Sequence, residues 1–178
     1  MKTRILGAVL VLLAATAPAF AQSNLEIFRG IEKQVLQYPH FTIFDSVNSE
    51  INDGVVTLTG KVTIGYKRSD LERRVAKVPG VTKVINQITI LPVSQFDDEL
   101  RFRVARAIYS SPALQMYAHQ VNPPIHVIVE HGHVTLEGVV LNHMDRVIAR
   151  AAASNFLAFS VTNDLKTDEE AKAELEKL

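Results

Sequence analysis

Hydrophobic and polar positions alternate with period two from Val47 to Asn52 and again from Val56 to Val62, with Asp53-Gly54 between the two runs. Alternation on both sides of Asp-Gly predicts a β-hairpin, because a two-residue hairpin turn needs positive φ at both central positions. The pattern returns 78 residues later: Ile125, Val127 and Val129 lead into His131-Gly132, and Val134, Leu136 and Val140 follow. Gly54-Val55-Val56-Thr57-Leu58-Thr59-Gly60 falls on Gly132-His133-Val134-Thr135-Leu136-Glu137-Gly138, and farther out Ile51 answers to Val129, Val62 to Val140 and Arg68 to Arg146. Self-similarity at a fixed offset marks repeated structural units, so the chain reads as two copies of one small module. Gly60 and Gly138 end the second strand of each hairpin, where the missing side chain predicts a bend or a close backbone approach.

Outside the hairpins the period changes to that of a helix. Leu25, Phe28, Ile31 and Val35 predict a helix over about 25–37, opened by the capping box Ser23/Glu26 and stopped at Tyr38-Pro39. A second helix, about 66–78, has Leu71, Val75 and Val78 on its core face and Arg73, Arg74 and Lys77 on the far side. Those cations either receive an anionic partner, such as phospholipid headgroups, or form a solvated face balanced by Asp70 and Glu72. Ser94 opens the next helix, with Asp97, Asp98 and Glu99 complementing its dipole. Its predicted core stripe is Leu100, Val104 and Ala107, flanked by Ile108, which places Phe102 and Tyr109 opposite with Arg103 and Arg106 alongside. Two aromatics and arginines on a nominally wet face are either a lipid or partner surface or the face that packs on the first module. The connection from Pro112 to Pro124 is too apolar at Leu114, Met116, Tyr117 and Val121 for a solvated loop, and is expected to cover a sheet edge or the seam. The helix from Met144 to about Asn155 is apolar around most of its circumference and is therefore expected to be buried on more than one side.

Each module thus reads helix, strand, strand, helix, strand: an α+β fold with both helices on one face of a three-stranded mixed sheet. The expected divisions are a first module over 22–93, a second over 94–167 and a charged tail over 168–178. The first copy closes with Val78-Pro79-Gly80-Val81 and Val84-Ile85-Asn86-Gln87-Ile88. The second keeps Val161-Thr162-Asn163-Asp164-Leu165 but has Leu157-Ala158-Phe159 in place of Pro-Gly-Val. Together with Gly-x-Val-Thr-Leu-x-Gly and the helix after it, these segments resemble the BON domain (bacterial OsmY and nodulation). The resemblance spans about residues 23–167 and implies the same fold. It also implies a non-enzymatic role in the envelope, with phospholipid binding and survival of osmotic or envelope stress, and it marks Gly54, Gly60, Gly80, Gly132 and Gly138 as structural motif positions.

Composition narrows the setting. Met1-Lys2-Thr3-Arg4, the apolar run Ile5–Ala17 and Ala19-Phe20-Ala21 have the order of a cleavable secretory signal, residues 1–21, and predict a mature chain that starts at Gln22. The run is short of the ~20 residues a membrane-spanning helix needs, and no cysteine follows the site to carry a lipid, so a soluble periplasmic protein is expected. The absence of cysteine puts stability in packing rather than disulfides and removes thiol chemistry. Without Lys2 and Arg4 the balance is 17 basic against 19 acidic residues, which gives no bulk basicity for nucleic acid.

His126, His131, His133 and His143 cluster in and after the second hairpin, and His131 and His133 are the candidates for zinc. No copy-one histidine corresponds to any of them, and no Glu-x-x-His pattern or catalytic spacing accompanies them, so neither metal, cofactor nor enzymatic activity is expected. The favoured function is binding of anionic membrane surfaces in support of envelope integrity. The alternative is a chaperone-like or protein-interaction module for exported polypeptides.

Overall fold

The computed structural model describes residues 23–177. The predicted signal segment and the predicted mature start, Gln22, lie outside them. In chain order the first module contains α1 (Asn24–Leu36), β1 (Ser46–Asn52), β2 (Val55–Val62), α2 (Gly65–Val75), β3 (Lys83–Asn86) and β4 (Thr89–Ile90). The second contains α3 (Gln95–Tyr109), α4 (Gln115–Ala118), β5 (Ile125–Glu130), β6 (His133–Val140), α5 (His143–Ala153), β7 (Ser160–Thr167) and α6 (Asp168–Leu175).

Both hairpins form as the alternation predicts. β1 and β2 pair antiparallel with Asn52 opposite Val55, and β5 and β6 with Glu130 opposite His133. The turn residues Asp53, Gly54, His131 and Gly132 all have φ between 48° and 77°, the values a type I′ turn requires. Helices α2 and α5 then carry the chain back, so that the closing strands lie parallel to β2 and β6. In the second module that strand is the continuous β7. In the first it is broken into β3 and β4 around Gln87 and the buried Ile88, both halves pairing with β2.

Each sheet buries one face under its helices. Ile51, Val56, Leu58 and Val62 meet Ile27, Ile31, Leu71 and Val75 in the first core. Val127, Val129, Val134, Leu136 and Val140 meet Leu100, Val104, Ile108 and Ala149 in the second. Burying such a side chain contributes roughly 1.5–3 kcal/mol.

The motif asparagine has a mechanical role in both copies. The Asn86 amide donates to the Arg68 carbonyl at 3.0 Å and accepts from Ile88 N, while Asn163 donates to the Arg146 carbonyl at 2.9 Å and accepts from Leu165 N. One side chain thereby ties the closing strand to the second helix. A tyrosine after each module's first helix does the same between helices: Tyr38 Oη donates to Asp70 at 2.7 Å and Tyr117 Oη to Asp145 at 2.5 Å. Burial, with the Asp145 carboxylate adding to it, pushes the Tyr117 hydroxyl up to about 12.

The structure changes several expectations. Helix α2 ends at Val75, and Val78 packs in the core from the turn that follows. Helix α5 does pack on α3 as well as on its sheet, but its apolar circumference is not covered all round: Ala149 and Ala153 are sealed, while Met144 (63 % exposed), Val147 and Ala151 face outward. Alanine-rich sequence permits close packing of α5 on the sheet and on α3 without requiring a further neighbour. Of the Pro112–Pro124 connection, Leu114 at the start of the short α4 and Tyr117 within it are buried, and Met116 and Val121 are exposed. The tail begins as α6, capped by a Thr167/Glu170 box and tied to α5 by the Arg146–Glu170 ion pair at 2.9 Å.

Candidate functional site

The two modules meet through a strap, Phe41–Asp45, that crosses the free edge of β5. At its centre the Ile43 carbonyl accepts from Val127 N at 2.7 Å, so the strap pairs with a strand edge that would otherwise be open. Phe41 lies on the helix-free side, its ring 5.3 Å from that of His126. Phe44 lies on the helix side, edge-to-face with Phe102 at 4.9 Å and 74°. Ile43 and Phe44 pack on the second module's core although the first module supplies them. Beyond the strap, Glu137 accepts from Ser46 Oγ at 2.5 Å and from Asn48 at 3.5 Å, and Lys61 pairs with Glu130.

What holds the strap in shape is a buried ion pair that sequence reasoning missed. Asp45 accepts from the Thr42 and Thr63 backbone amides at 2.9 and 2.8 Å, from both threonine hydroxyls, and from Lys67 Nζ at 2.6 Å. The side chains of Lys67 and Asp45 are 5 % and 0 % exposed. Burial alone would raise the Asp45 carboxyl, but the hydrogen bonds from Lys67, Thr63 and Thr42 outweigh it and hold the group below its ordinary value. A lysine in an amphipathic helix reads as solvated, so Lys67 gave no warning. The apolar Phe41-Thr42-Ile43-Phe44 run between a helix and a strand was the available signal.

His126 also belongs to this seam. Its Nδ1 is buried without a hydrogen-bond partner. Burial lowers its affinity for a proton, against weaker opposition from the Asp45 and Thr42 carbonyls and the charges of Asp45 and Glu137. Because the folded value lies below the unfolded one, the unfolded chain binds more protons. Stability from this group is therefore complete above about 6.5 and is lost as pH falls through the folded value. We expect the melting temperature of the parent to fall more between pH 7 and pH 5 than that of His126→Phe, which keeps the ring contact with Phe41. Parallel curves would remove His126 from the acid response.

Between the strap and α3 lies an open groove of about 750 Å³. Ile43, Phe44, Phe102, Ala105 and Tyr109 form its apolar walls, and Glu99, Arg103 and Arg106 stand at its rim. Phe102 is 62 % exposed even with Phe44 against it. Tyr109 is turned inward: its hydroxyl donates to the Ile125 carbonyl at 2.6 Å and accepts from Ile125 N at 3.1 Å, and burial raises its pKa. The reason is rotational. The sealed side of α3 runs through Arg101, Ala105 and Ile108 rather than through Ala107, which brings Tyr109 to the shoulder of the core. Arg103 pairs with Glu99 at 3.4 Å, and Arg106 is exposed.

The basic face of α2 is not gathered with these residues. Arg74 stacks on the Tyr38 ring at 5.0 Å, Arg73 pairs with Asp70, and Lys77 is exposed in the turn after the helix. Gly80, in the turn between α2 and β3, has φ 85°. His131 is exposed at the hairpin turn, where its backbone amide and that of Gly132 donate to the buried Asp97 at 2.9 and 2.7 Å. The His133 ring meets Ser160 Oγ at 2.8 Å. Among the described residues no three His, Asp or Glu side chains are placed to hold a metal ion.

Two solved structures of CdsD, a structural protein of the type III secretion system of Chlamydia trachomatis, are similar to the chain. One is 15 % identical with a TM-score of 0.29, covering 84 % of this chain and 97 % of that one. The other, its C-terminal domain, is 14 % identical with a TM-score of 0.30, covering 82 % and 99 %. A comparison with curated proteins finds none that matches. The model of the BON domain family matches twice, over residues 29–92 and 97–169, which are the two modules described above. The chain belongs to the BON domain family, with two modules in tandem.

Proposed function

We propose that this protein binds anionic membrane surfaces from the periplasm through the second module, and that this binding supports envelope integrity under osmotic or envelope stress. BON modules are associated with phospholipid and membrane binding and are binding modules rather than catalytic ones. The observation that carries the proposal is the exposed Phe102 ring beside an apolar groove, with Arg103 and Arg106 at the rim. An aromatic ring flanked by guanidiniums suits the headgroup layer, where the ring is half buried and the cations meet phosphate. Export would proceed through residues 1–21.

Binding should be weak and reversible, because one ring and two screened charges must also offset immobilisation. Co-sedimentation with neutral and anionic vesicles at two salt concentrations tests it. Anionic vesicles should retain the protein at low salt and release it as ionic strength rises. Phe102→Ala should weaken binding by about ten- to a hundredfold, since losing roughly 1.5–3 kcal/mol of burial at about 1.4 kcal/mol per decade gives that range, with a small change in melting temperature. Salt-independent binding to vesicles of either charge would sink the proposal.

A second reading, capture of exported polypeptides, draws on the same groove, which is large enough for a few apolar side chains. It would appear as suppression of aggregation of an unfolded client that persists at high salt.

A further inference from the structure

The two copies provide an internal control at the end of each module where the closing strand begins. Thr82 N donates to the Gly54 carbonyl at 2.8 Å, and Phe159 N donates to the Gly132 carbonyl at 2.9 Å. The same backbone bond therefore anchors both loops to their hairpin turns, and it sets Phe159 against Thr82 and Leu157 against Gly80, one residue along from the sequence alignment that put Leu157-Ala158-Phe159 in place of Pro-Gly-Val. The first copy builds this loop with exposed Gly80 and Thr82. The second places Leu157 and Phe159 there, 90 % and 77 % exposed. The first copy folds without an apolar side chain at either position, and Leu157 and Phe159 keep most of their surface open although the Phe159 ring centroid lies 5.7 Å from that of His133.

Phe96, from the first turn of α3, joins them. The rings of Phe159 and Phe96 both lie over Gly132, within 3.3 Å of where a Cβ there would stand. Phe96, Leu157 and Phe156 also border a small depression with Glu99 and Arg103, and those last two residues stand at the rim of the seam groove. An apolar tip is thus continuous with the surface around Phe102. Along the residues that line both, Arg103 pairs with Glu99 at 3.4 Å and Arg106 stands beside them.

We infer that Leu157, Phe159 and Phe96 form a wedge that enters the acyl region of an anionic bilayer while Arg103 and Arg106 engage its phosphates. The inference rests on the membrane reading above and adds to it the part of the protein that penetrates. Apolar side chains this exposed suit a fluid apolar phase, which closes around a surface of any shape. The aromatic rings would rest near the interface and Leu157 would reach deeper.

The chain contains no tryptophan, so Phe159→Trp introduces a single fluorescent reporter at the tip. With phosphatidylglycerol vesicles at low salt, its emission should shift to the blue and be quenched by lipids brominated on the acyl chain. The double variant Leu157→Ser/Phe159→Thr gives this loop the polar character of the first copy. It should bind the same vesicles at least about tenfold more weakly with an unchanged melting temperature. If the parent protein does not bind vesicles, the membrane reading itself fails. If it binds but the reporter neither shifts nor is quenched, the wedge is wrong and the reading around Phe102 stands. Unchanged vesicle binding by the double variant, with a change in sedimentation coefficient, would also overturn the wedge and assign the tip to self-association.

Discussion

Gly138→Ala is expected to unfold the second module. Gly138 has φ 120°, outside the regions open to an L-residue, and a Cβ there would stand 1.8 Å from the Pro124 carbonyl oxygen. That oxygen belongs to the backbone entering β5, so no side chain can rotate away to relieve the contact. β5 would have to leave β6 at Ile125, the residue paired with Gly138, and the Tyr109 hydroxyl clasps that same residue. Backbone strain alone costs about 1–3 kcal/mol, and loss of the strand end adds to it. Against a typical domain stability of about 5–15 kcal/mol, this module has little margin. Gly60→Ala should do the same to the first module, since φ there is 119° and the added carbon would meet the Ser46 carbonyl oxygen at 2.2 Å. Amide hydrogen exchange distinguishes the two variants, because each should lose protection chiefly in its own sheet. A Gly138→Ala protein that melts with the parent would show that the strand end tolerates the displacement.

The hairpins, caps and helix order were legible because each rests on a local pattern: period two on both sides of Asp-Gly or His-Gly, Ser23 with Glu26, Ser94 before Asp97. Shared residues made the repeat legible even where single elements were ambiguous. What stayed hidden depends on packing between segments distant in sequence. Arg74 reads as part of a basic face until the Tyr38 ring lies beneath it. Tyr109 and Phe102 read alike on a helical wheel, yet a rotation of the core face from Ala107 to Ala105 turns one inward and leaves the other exposed. Leu157-Ala158-Phe159 was visible as a departure from the motif. Its meaning appears only once the shared backbone bond shows that Gly80 and Thr82 fill the corresponding positions of the first copy. The strap was the largest omission, because a segment between a helix and a strand carries no period to read.

Asp45→Ala is expected to cost about 3–5 kcal/mol, the usual consequence of leaving one charge of a buried pair without its partner. Lys67 would keep an ammonium group in a site 5 % exposed, with the Thr63 hydroxyl at 2.8 Å as its remaining neutral partner. The Thr42 and Thr63 amides would lose their acceptors as well. Adding Lys67→Met removes the stranded charge but not those orphaned amides, so the double variant should recover part of the melting temperature and not all of it. The acid limb gives an independent reading. Because the Asp45 pKa is depressed in the folded protein, its stabilisation is complete above about 3.9 and is lost as pH falls through the folded value. Asp45→Asn should therefore be flatter than the parent below pH 4. The functional consequence follows from where Asp45 sits, at the end of the strap that presents Ile43 and Phe44 to α3. Freed from Thr63 and Lys67, the strap would release Phe44 from Phe102 and open the groove wall. Asp45→Ala should then weaken vesicle binding even at temperatures where both modules remain folded, and Lys67→Met alone, which leaves the threonine bonds in place, should weaken it less. If single and double variants melt together, Lys67 finds another way to solvate its charge, and the strap is held by the threonine bonds rather than by the ion pair.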